Sequence, residues 1–158
     1  MKLAEALAQR SDAQKRLAQL KSRAVSNARY QEGEPPAEDT AALLAEAREV
    51  VAEIERLVRA INKTNASVEL SPGQTITDAI ARRDALASQR DLVVAVADAA
   101  SGQGSADFHF GRQMRSELRQ ITDLAVPELR KEADQLAQRY RELDVTLQAT
   151  NWSVDLVD

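Results

Sequence analysis

The sequence of 158 residues contains no cysteine and a single histidine, His109. The missing thiols exclude disulfide frameworks, thiolate zinc sites, iron–sulfur clusters and cysteine nucleophiles. A ferritin-like di-iron centre is excluded as well, because it needs a Glu-x-x-His pair on each of two helices. Aromatic residues make up only 3% of the chain, beside 5 glycines and 4 prolines. The core must therefore come from closely packed aliphatic helices.

The chain also lacks a strong excess of one charge and a long hydrophobic run. Its 21 Lys and Arg against 25 Asp and Glu give a net charge of −4, which excludes a globally basic nucleic-acid or membrane binder. The most apolar stretch, 92–100, contains Asp98 and is far shorter than the roughly 20 residues of a membrane span. Glu5 and Gln9 interrupt the first apolar run, so no signal peptide is expected. We expect a cytoplasmic protein that binds no membrane.

Apolar residues at spacings of three and four predict four helices, at about residues 2–31, 39–64, 76–100 and 126–150. Pro35 and Pro36 break the first helix from the second, and Thr75 with Asp78 forms a capping box for the third. Two helices carry heptad-like apolar seams. The seam residues are Leu43, Ala47, Val50, Ile54, Leu57 and Ile61, and then Leu129, Ala133, Leu136, Tyr140, Leu143, Leu147 and Thr150.

These helices predict an all-α fold, an elongated antiparallel four-helix bundle in a single domain over residues 1–158. A short two-stranded β ribbon at one end is an open addition: residues 68–70 favour a strand, and 114–122 fit either a helix or a strand that pairs with it. Residues 1–30 carry a net charge of +5 and residues 31–62 of −5, so the first two helices should pair, within a chain or between protomers. Surplus apolar seams predict a homo-oligomer.

Four ordered stretches carry a family resemblance: QEGE at 31–34, RAINKTN at 59–65, TITDAIARRD at 75–84, and YRELD at 140–144 with QATNW at 148–152. Together they resemble the septicolysin-like family of small bacterial helical proteins, over the whole of residues 1–158. The family name implies a pore-forming haemolysin. The sequence itself shows no secretion signal, no apolar segment of membrane length and no tryptophan-rich loop, and Trp152 is its only tryptophan. The resemblance assigns no catalytic or binding residue and no cofactor.

Polar residues should gather at the two poles of such a bundle, and these are the candidate ligand-binding residues. An up-down-up-down order brings the ends of the second and fourth helices together. Capping and corner formation is the alternative role of the side chains there, and a loop imidazole between two phenylalanines is the alternative for His109. The candidates at the first pole are Asn62, Thr64, Asn65, Asn151 and Trp152, and those at the opposite pole are His109 and Arg112.

Two further hypotheses concern phosphate chemistry. Glu46, Glu49 and Glu53 share one helix stripe, as in a carboxylate site for Mg²⁺ or Mn²⁺ in a hydrolase acting on a phosphorylated small molecule. The stripe flanks the apolar seam, which also fits a solvated face. Phosphate or nucleic acid could bind arginine clusters, although interleaved aspartates favour ion pairs. These arginines are Arg82, Arg83, Arg90, Arg112, Arg115 and Arg119.

The sequence contains none of the usual phosphate-cradling or nucleophile motifs, and no catalytic residue is assigned. The reading favoured by the residues is a non-enzymatic, self-associating helical-bundle protein that acts in structure or interaction. Nucleic acid is a disfavoured partner, and no metal or other cofactor is expected.

Overall fold

The computed structural model describes residues 1–102 and 121–157. The elements in this part of the chain are α1 (Leu3–Asn27), α2 (Thr40–Ser67), β1 (Glu69–Ser71), β2 (Gln74–Thr75), α3 (Ile76–Ala100) and α4 (Val126–Ser153). The prediction of an all-α protein with four helices and a two-stranded ribbon is confirmed. The chain divides into two compact units, one of Met1–Thr77 with Gln148–Asp158 and one of Asp78–Leu147.

In the first unit α1 and α2 pack against each other as an antiparallel pair. Across the pair, Arg16 donates to Glu46 at 2.8 Å and Arg23 to Glu38 through Nε at 3.0 Å. The basic and acidic segments of the sequence thus lie side by side within one chain. The apolar cluster between the two helices consists of Ala13, Leu20, Ala24, Leu43 and Val50, with Leu17, Ala47 and Ile54 packed against it.

The helix ends of this pair are fixed by side-chain hydrogen bonds. The Asp39 carboxylate caps α2 by accepting from the Ala41 and Ala42 amides at 2.9 and 3.3 Å. Asn27 ends α1 four residues before the sequence-based boundary. Its side-chain oxygen accepts from the Glu38 amide at 3.2 Å, and its carbonyl accepts from Thr40 Oγ1 at 2.9 Å. These hydrogen bonds connect the end of α1 to the residues at the start of α2, and α1 does not continue for a further turn.

The first three residues of the chain are held by the segment that follows α4. The Leu3 amide donates to the Val154 carbonyl at 3.0 Å, and the Leu156 amide donates to the Met1 carbonyl at 2.8 Å. Lys2 Nζ lies 3.0 Å from the Asp155 carboxylate, and this hydrogen bond lowers the pKa of Asp155 below its ordinary value. Leu3 is fully buried at this junction.

The ribbon is a β-hairpin in which β1 pairs antiparallel with β2. Gly73 in its turn has a φ of +76°, a conformation that glycine adopts without a Cβ penalty. The sequence analysis instead paired residues 68–70 with 114–122. Residues 114–120 lie outside the described residues, and Ile121 and Thr122 belong to no strand.

In the second unit α3 and the first part of α4 form an antiparallel pair. Arg83 Nη1 lies 3.3 Å from Asp144, and Arg130 Nη2 lies 2.6 Å from Asp98 at the opposite end of the pair. Arg83 also donates to Asp84 at 2.8 Å. The hydrogen bond to Asp84 is the main reason that the pKa of Arg83 lies above its ordinary value.

Candidate functional site

Thr64, a predicted ligand-binding residue, is fully buried and has a structural role. Its Oγ1 donates to the Ala60 carbonyl at 2.8 Å and accepts from the Val157 amide at 2.9 Å. The hydroxyl is thus both a hydrogen-bond donor and a hydrogen-bond acceptor within the fold. Thr64 therefore joins α2 to the segment after α4, 93 residues away in sequence.

The other predicted residues of this pole belong to the same unit. Asn65 and Asn151 are half-buried, whereas Asn62 and Trp152 are exposed, Trp152 with 65% of its surface accessible. Thr64, near the end of α2, contacts the segment that follows α4. A ligand-binding role for these four residues stays a prediction. His109 and Arg112, the candidates at the other pole, lie outside the described residues.

The carboxylates of the metal hypothesis are not arranged as a metal site. Glu46 bonds to Arg16 at 2.8 Å. Across residues 1–102 and 121–157, no group of three or more acidic or histidine side chains is placed to hold a metal ion. Glu46, Glu49 and Glu53 are therefore part of the charged surface of α2.

In the first arginine cluster, Arg83 and Arg90 form ion pairs with neighbouring aspartates. Arg83 bonds to Asp84 and Asp144, and Arg90 lies 3.6 Å from Asp91. Ion pairing thus accounts for two of the three arginines on α3. Arg112, Arg115 and Arg119 fall in the part of the chain that is not described.

A cleft beside the second half of α2 is a feature that the sequence analysis missed. It has a volume of about 860 Å³, within the range of small-molecule sites. Its lining residues in the described part of the chain all lie on α2: Ala52, Glu55, Arg56, Arg59, Ala60, Asn62 and Lys63. The spacing of its cations was visible in the sequence, but a concave surface depends on tertiary shape.

The helix α3 is apolar on two opposite faces. Ala79, Leu86 and Ala97 are buried on one of them. The other face lies about 180° around the helix axis, at 100° per residue, and consists of exposed residues. We call it the α3 outer face: Ala81, Ala85, Ser88, Leu92, Ala95, Val96 and Ala99.

The α3 outer face differs from an ordinary solvated helix surface. Leu92 exposes 66% of its surface and Val96 36%, and no charged side chain interrupts the face between residues 81 and 99. A helix with apolar residues all round is normally covered on all sides. The 3–4 spacing of this face was readable from the sequence, but the sequence did not show which of the two faces the chain itself covers.

No helix in the described part of the chain is both long and apolar enough to cross a membrane. This finding agrees with the short apolar runs of the sequence.

Comparison with known proteins identifies a family and a similar fold, but it indicates no activity. The sequence model of the Family of unknown function (DUF6847) matches residues 10–156. The chain is similar to the crystal structure of a functionally unknown conserved protein from Corynebacterium diphtheriae, with 41% sequence identity, a TM-score of 0.88 and 99% of each chain covered. No curated protein matches the sequence.

Proposed function

The chain belongs to the Family of unknown function (DUF6847), and since membership brings no activity, we propose a function from the residues themselves. The protein is a non-enzymatic, self-associating helical protein, and two copies pack through the α3 outer face. The observation that carries this proposal is the continuous exposed apolar face of α3, which includes Leu92 at 66% accessibility.

The spacing of the α3 outer face favours a second copy of the same helix as its occupant. Positions 81, 85, 88, 92, 95 and 99 follow the alternating steps of four and three that a coiled-coil seam requires. The seam extends over about 27 Å of helix at 1.5 Å per residue. Four of its positions are alanine, and small side chains allow two helices to approach closely.

The six seam positions are also symmetric about residue 90, so the seam is complementary to itself. When two copies of α3 run antiparallel, Ala81 meets Ala99 of the second copy and Ala85 meets Ala95. In the centre, Ser88 meets Leu92. These seam contacts place a small residue against a small residue, or Ser88 against Leu92, as closely packed interfaces require. Val96 lies beside the seam and has no counterpart in this symmetry.

Two polar features of α3 are compatible with burial of this face. The Ser88 hydroxyl already donates to the Asp84 carbonyl at 3.0 Å, so Leu92 can cover it without leaving the donor unsatisfied. Asp84, Asp91 and Asp98 follow one edge of the face. Each of these carboxylates lies within 3.6 Å of an arginine of the same unit. These ion pairs reduce the repulsion between two such edges.

Native mass spectrometry and light scattering over a range of protein concentrations test the association. We expect a species of twice the 17.3 kDa chain mass, which Leu92→Glu converts to the monomer because it places a charge in the seam. Val25→Glu is the matched control, since Val25 is 67% exposed on α1 and should leave the assembly unchanged. A wild-type monomer at every concentration contradicts the proposal, as does a Leu92→Glu variant that keeps the dimer.

The absence of native cysteine allows a clean crosslinking test of the orientation. Positions 85 and 95 are about 15 Å apart along a helix, beyond the reach of a disulfide. In the antiparallel arrangement, Ala85→Cys alone should not crosslink, whereas a mixture of Ala85→Cys and Ala95→Cys chains should. Efficient crosslinking of Ala85→Cys alone indicates parallel helices and contradicts the symmetric pairing.

Three finer predictions from the sequence accompany this proposal. They are the cytoplasmic location, folding as one domain, and the resemblance to the septicolysin-like family. The proposed self-association requires neither a membrane nor a cofactor. A haemolysis assay tests the activity implied by the family name, and we expect no lysis at concentrations at which the protein is dimeric.

A further inference from the structure

Three aspartates follow one edge of the α3 outer face at intervals of seven residues: Asp84, Asp91 and Asp98. At 100° per residue they lie about 60 to 100° around the helix from the centre of the seam. Residues at such positions border the partner helix in a coiled coil, and their charges set the choice and orientation of the partner. We call these three residues the acidic edge.

The symmetry of the proposed dimer places two acidic edges side by side. A two-fold axis perpendicular to both helices keeps each edge on its own side of the interface. Since the seam is symmetric about residue 90, Asp91 lies within about 3 Å of the level of Asp91 of the second copy along the helix axis. Asp84 lies within about 3 Å of the level of Asp98 of the second copy. Three pairs of carboxylates therefore face each other along one side of the interface.

Each aspartate of the acidic edge has an arginine beside it, on the side away from the seam. Asp98 is paired with Arg130 of α4 at 2.6 Å. Asp84 lies 2.8 Å from Arg83, but Arg83 also lies 3.3 Å from Asp144. One positive charge is thus shared by two carboxylates, so the Asp84 carboxylate is only partly neutralised.

Asp91 is the member of the acidic edge nearest the two-fold axis, and its ion pair is the longest of the three. It lies 3.6 Å from Arg90, and the two side chains are 76% and 47% exposed. An exposed pair of this length contributes little. Helices packed through small residues lie about 8 Å apart, which is close to the Debye length of about 8 Å at physiological salt. The two Asp91 carboxylates of the dimer therefore repel each other, and added salt screens the repulsion.

From this arrangement, which rests on the proposed antiparallel dimer, we infer that ionic strength regulates the self-association of the protein and that salt strengthens it. Low salt favours the monomer, because the two acidic edges then repel each other most strongly. An interface held by surface ion pairs has the opposite dependence, since salt weakens such pairs. In a parallel dimer the acidic edge would instead lie opposite Arg82, Gln89 and Val96 of the second copy.

Sedimentation equilibrium at neutral pH tests the sign of the salt effect on the full chain. Between about 10 and 150 mM sodium chloride the Debye length falls from about 30 to 8 Å. Over this range we expect the dissociation constant of the wild-type dimer to fall by about threefold or more. Asp91→Asn should tighten the dimer about two- to fivefold at the lowest salt concentration and should flatten its salt dependence.

Asp134→Asn is the matched control, because it removes the same charge from an exposed aspartate of α4. Asp134 lies about 130° around α4 from the mean direction of the buried residues Ala133, Leu136 and Leu147. The variant should keep both the dissociation constant and the salt dependence of the wild type. This control separates local repulsion from the general effect of salt on apolar association. Thermal unfolding verifies that each variant is folded.

A charge reversal tests the contact at the two-fold axis directly. An equimolar mixture of wild-type and Asp91→Lys chains should form more heterodimer than the one half that random pairing gives, because the reversed charge attracts Asp91 of the other chain. Native mass spectrometry at low salt distinguishes the three dimers by mass.

The outcomes separate this inference from the proposed function. A wild-type monomer at every salt concentration overturns both. A wild-type dimer that salt weakens or leaves unchanged overturns the inference alone. The same holds if Asp91→Asn keeps the salt dependence of the wild type, or if the Asp91→Lys mixture pairs at random.

Discussion

The described parts of the two units differ in how completely the apolar faces of their helices are buried. On α2, the large buried side chains Leu43, Val50, Leu57 and Ile61 share one face, and α1 covers part of that face through the cluster around Leu20. On α3, apolar residues occupy two opposite faces, and within the described residues 1–102 and 121–157 only one of them is buried. One neighbouring helix can bury a single apolar stripe. A helix with two opposite apolar stripes needs a second neighbour to bury the other stripe.

The largest expected effect is the difference in stability between substituting a buried leucine, Leu20, and an exposed one, Leu92. Leu20→Ala removes a side chain that is 1% exposed within the α1–α2 cluster and should lower the free energy of unfolding by about 3 kcal/mol. Leu92→Ala removes the same atoms from the α3 outer face. It should cost less than about 1 kcal/mol in the monomer and should weaken self-association.

Denaturant unfolding at two protein concentrations measures both substitutions. The Leu20→Ala loss should be the same at both concentrations, and the Leu92→Ala loss should grow at the higher concentration, where the dimer is populated. If Leu92→Ala destabilises the dilute protein as much as Leu20→Ala does, the α3 outer face is covered within the chain and the contrast between the two units disappears.

A smaller effect is expected at the junction that closes the first unit. Thr64→Val keeps the shape of the buried side chain but removes the acceptor of the Val157 amide. The loss should be about 1–2 kcal/mol, as for a buried donor left without a partner. Amide hydrogen exchange followed by NMR should show faster exchange at Val157.

Two substitutions control this experiment. Thr64→Ser retains the hydroxyl and should restore the protection of the Val157 amide, although it loses a methyl group. Thr77→Val changes an exposed threonine at the start of α3 and should have little effect. Unchanged exchange at Val157 in Thr64→Val is the result that contradicts the role of this junction.

The sequence predicted those parts of the molecule that depend on local patterns. Apolar spacing identified the four helices, and opposite charges indicated the α1–α2 pair. The partner of β1 was missed because β2 has only two residues, too few for a strand pattern. The return of the chain after α4 to Thr64 is a contact between distant residues, which no periodicity encodes.

The candidate site residues show the same difference between what local sequence patterns predict and what tertiary contacts determine. Thr64 was predicted to bind a ligand, but its hydroxyl bonds to Ala60 and to the segment after α4. The sequence analysis offered Arg82, Arg83 and Arg90 as an alternative phosphate site but favoured ion pairs with the interleaved aspartates, and Arg83 and Arg90 do lie beside aspartates. Arg56, Arg59 and Lys63 are separated in sequence by apolar residues and Asn62, and the helix geometry places them along one side of α2.

The smallest expected effect concerns the charges that border the covered face of the first unit. Arg23 donates hydrogen bonds to Glu38, which lowers the pKa of Glu38 below its ordinary value of 4.5. A carboxyl group whose pKa is lower in the folded state stabilises the protein above its unfolded pKa, and this contribution is lost as the pH falls through the folded value. Glu38→Gln should therefore lower the melting temperature slightly at pH 7 and have almost no effect near pH 3.

The matched control for this pair is Glu49→Gln, because Glu49 is an exposed glutamate on α2 for which no ion pair with a described residue is found. It should leave the pH dependence of the melting temperature as it is in the wild type. High salt should reduce the Glu38→Gln difference at pH 7, because both side chains of the pair are partly exposed. A Glu38→Gln effect as large near pH 3 as at pH 7 would mean that packing of the side chain, rather than its charge, stabilises the α1–α2 pair.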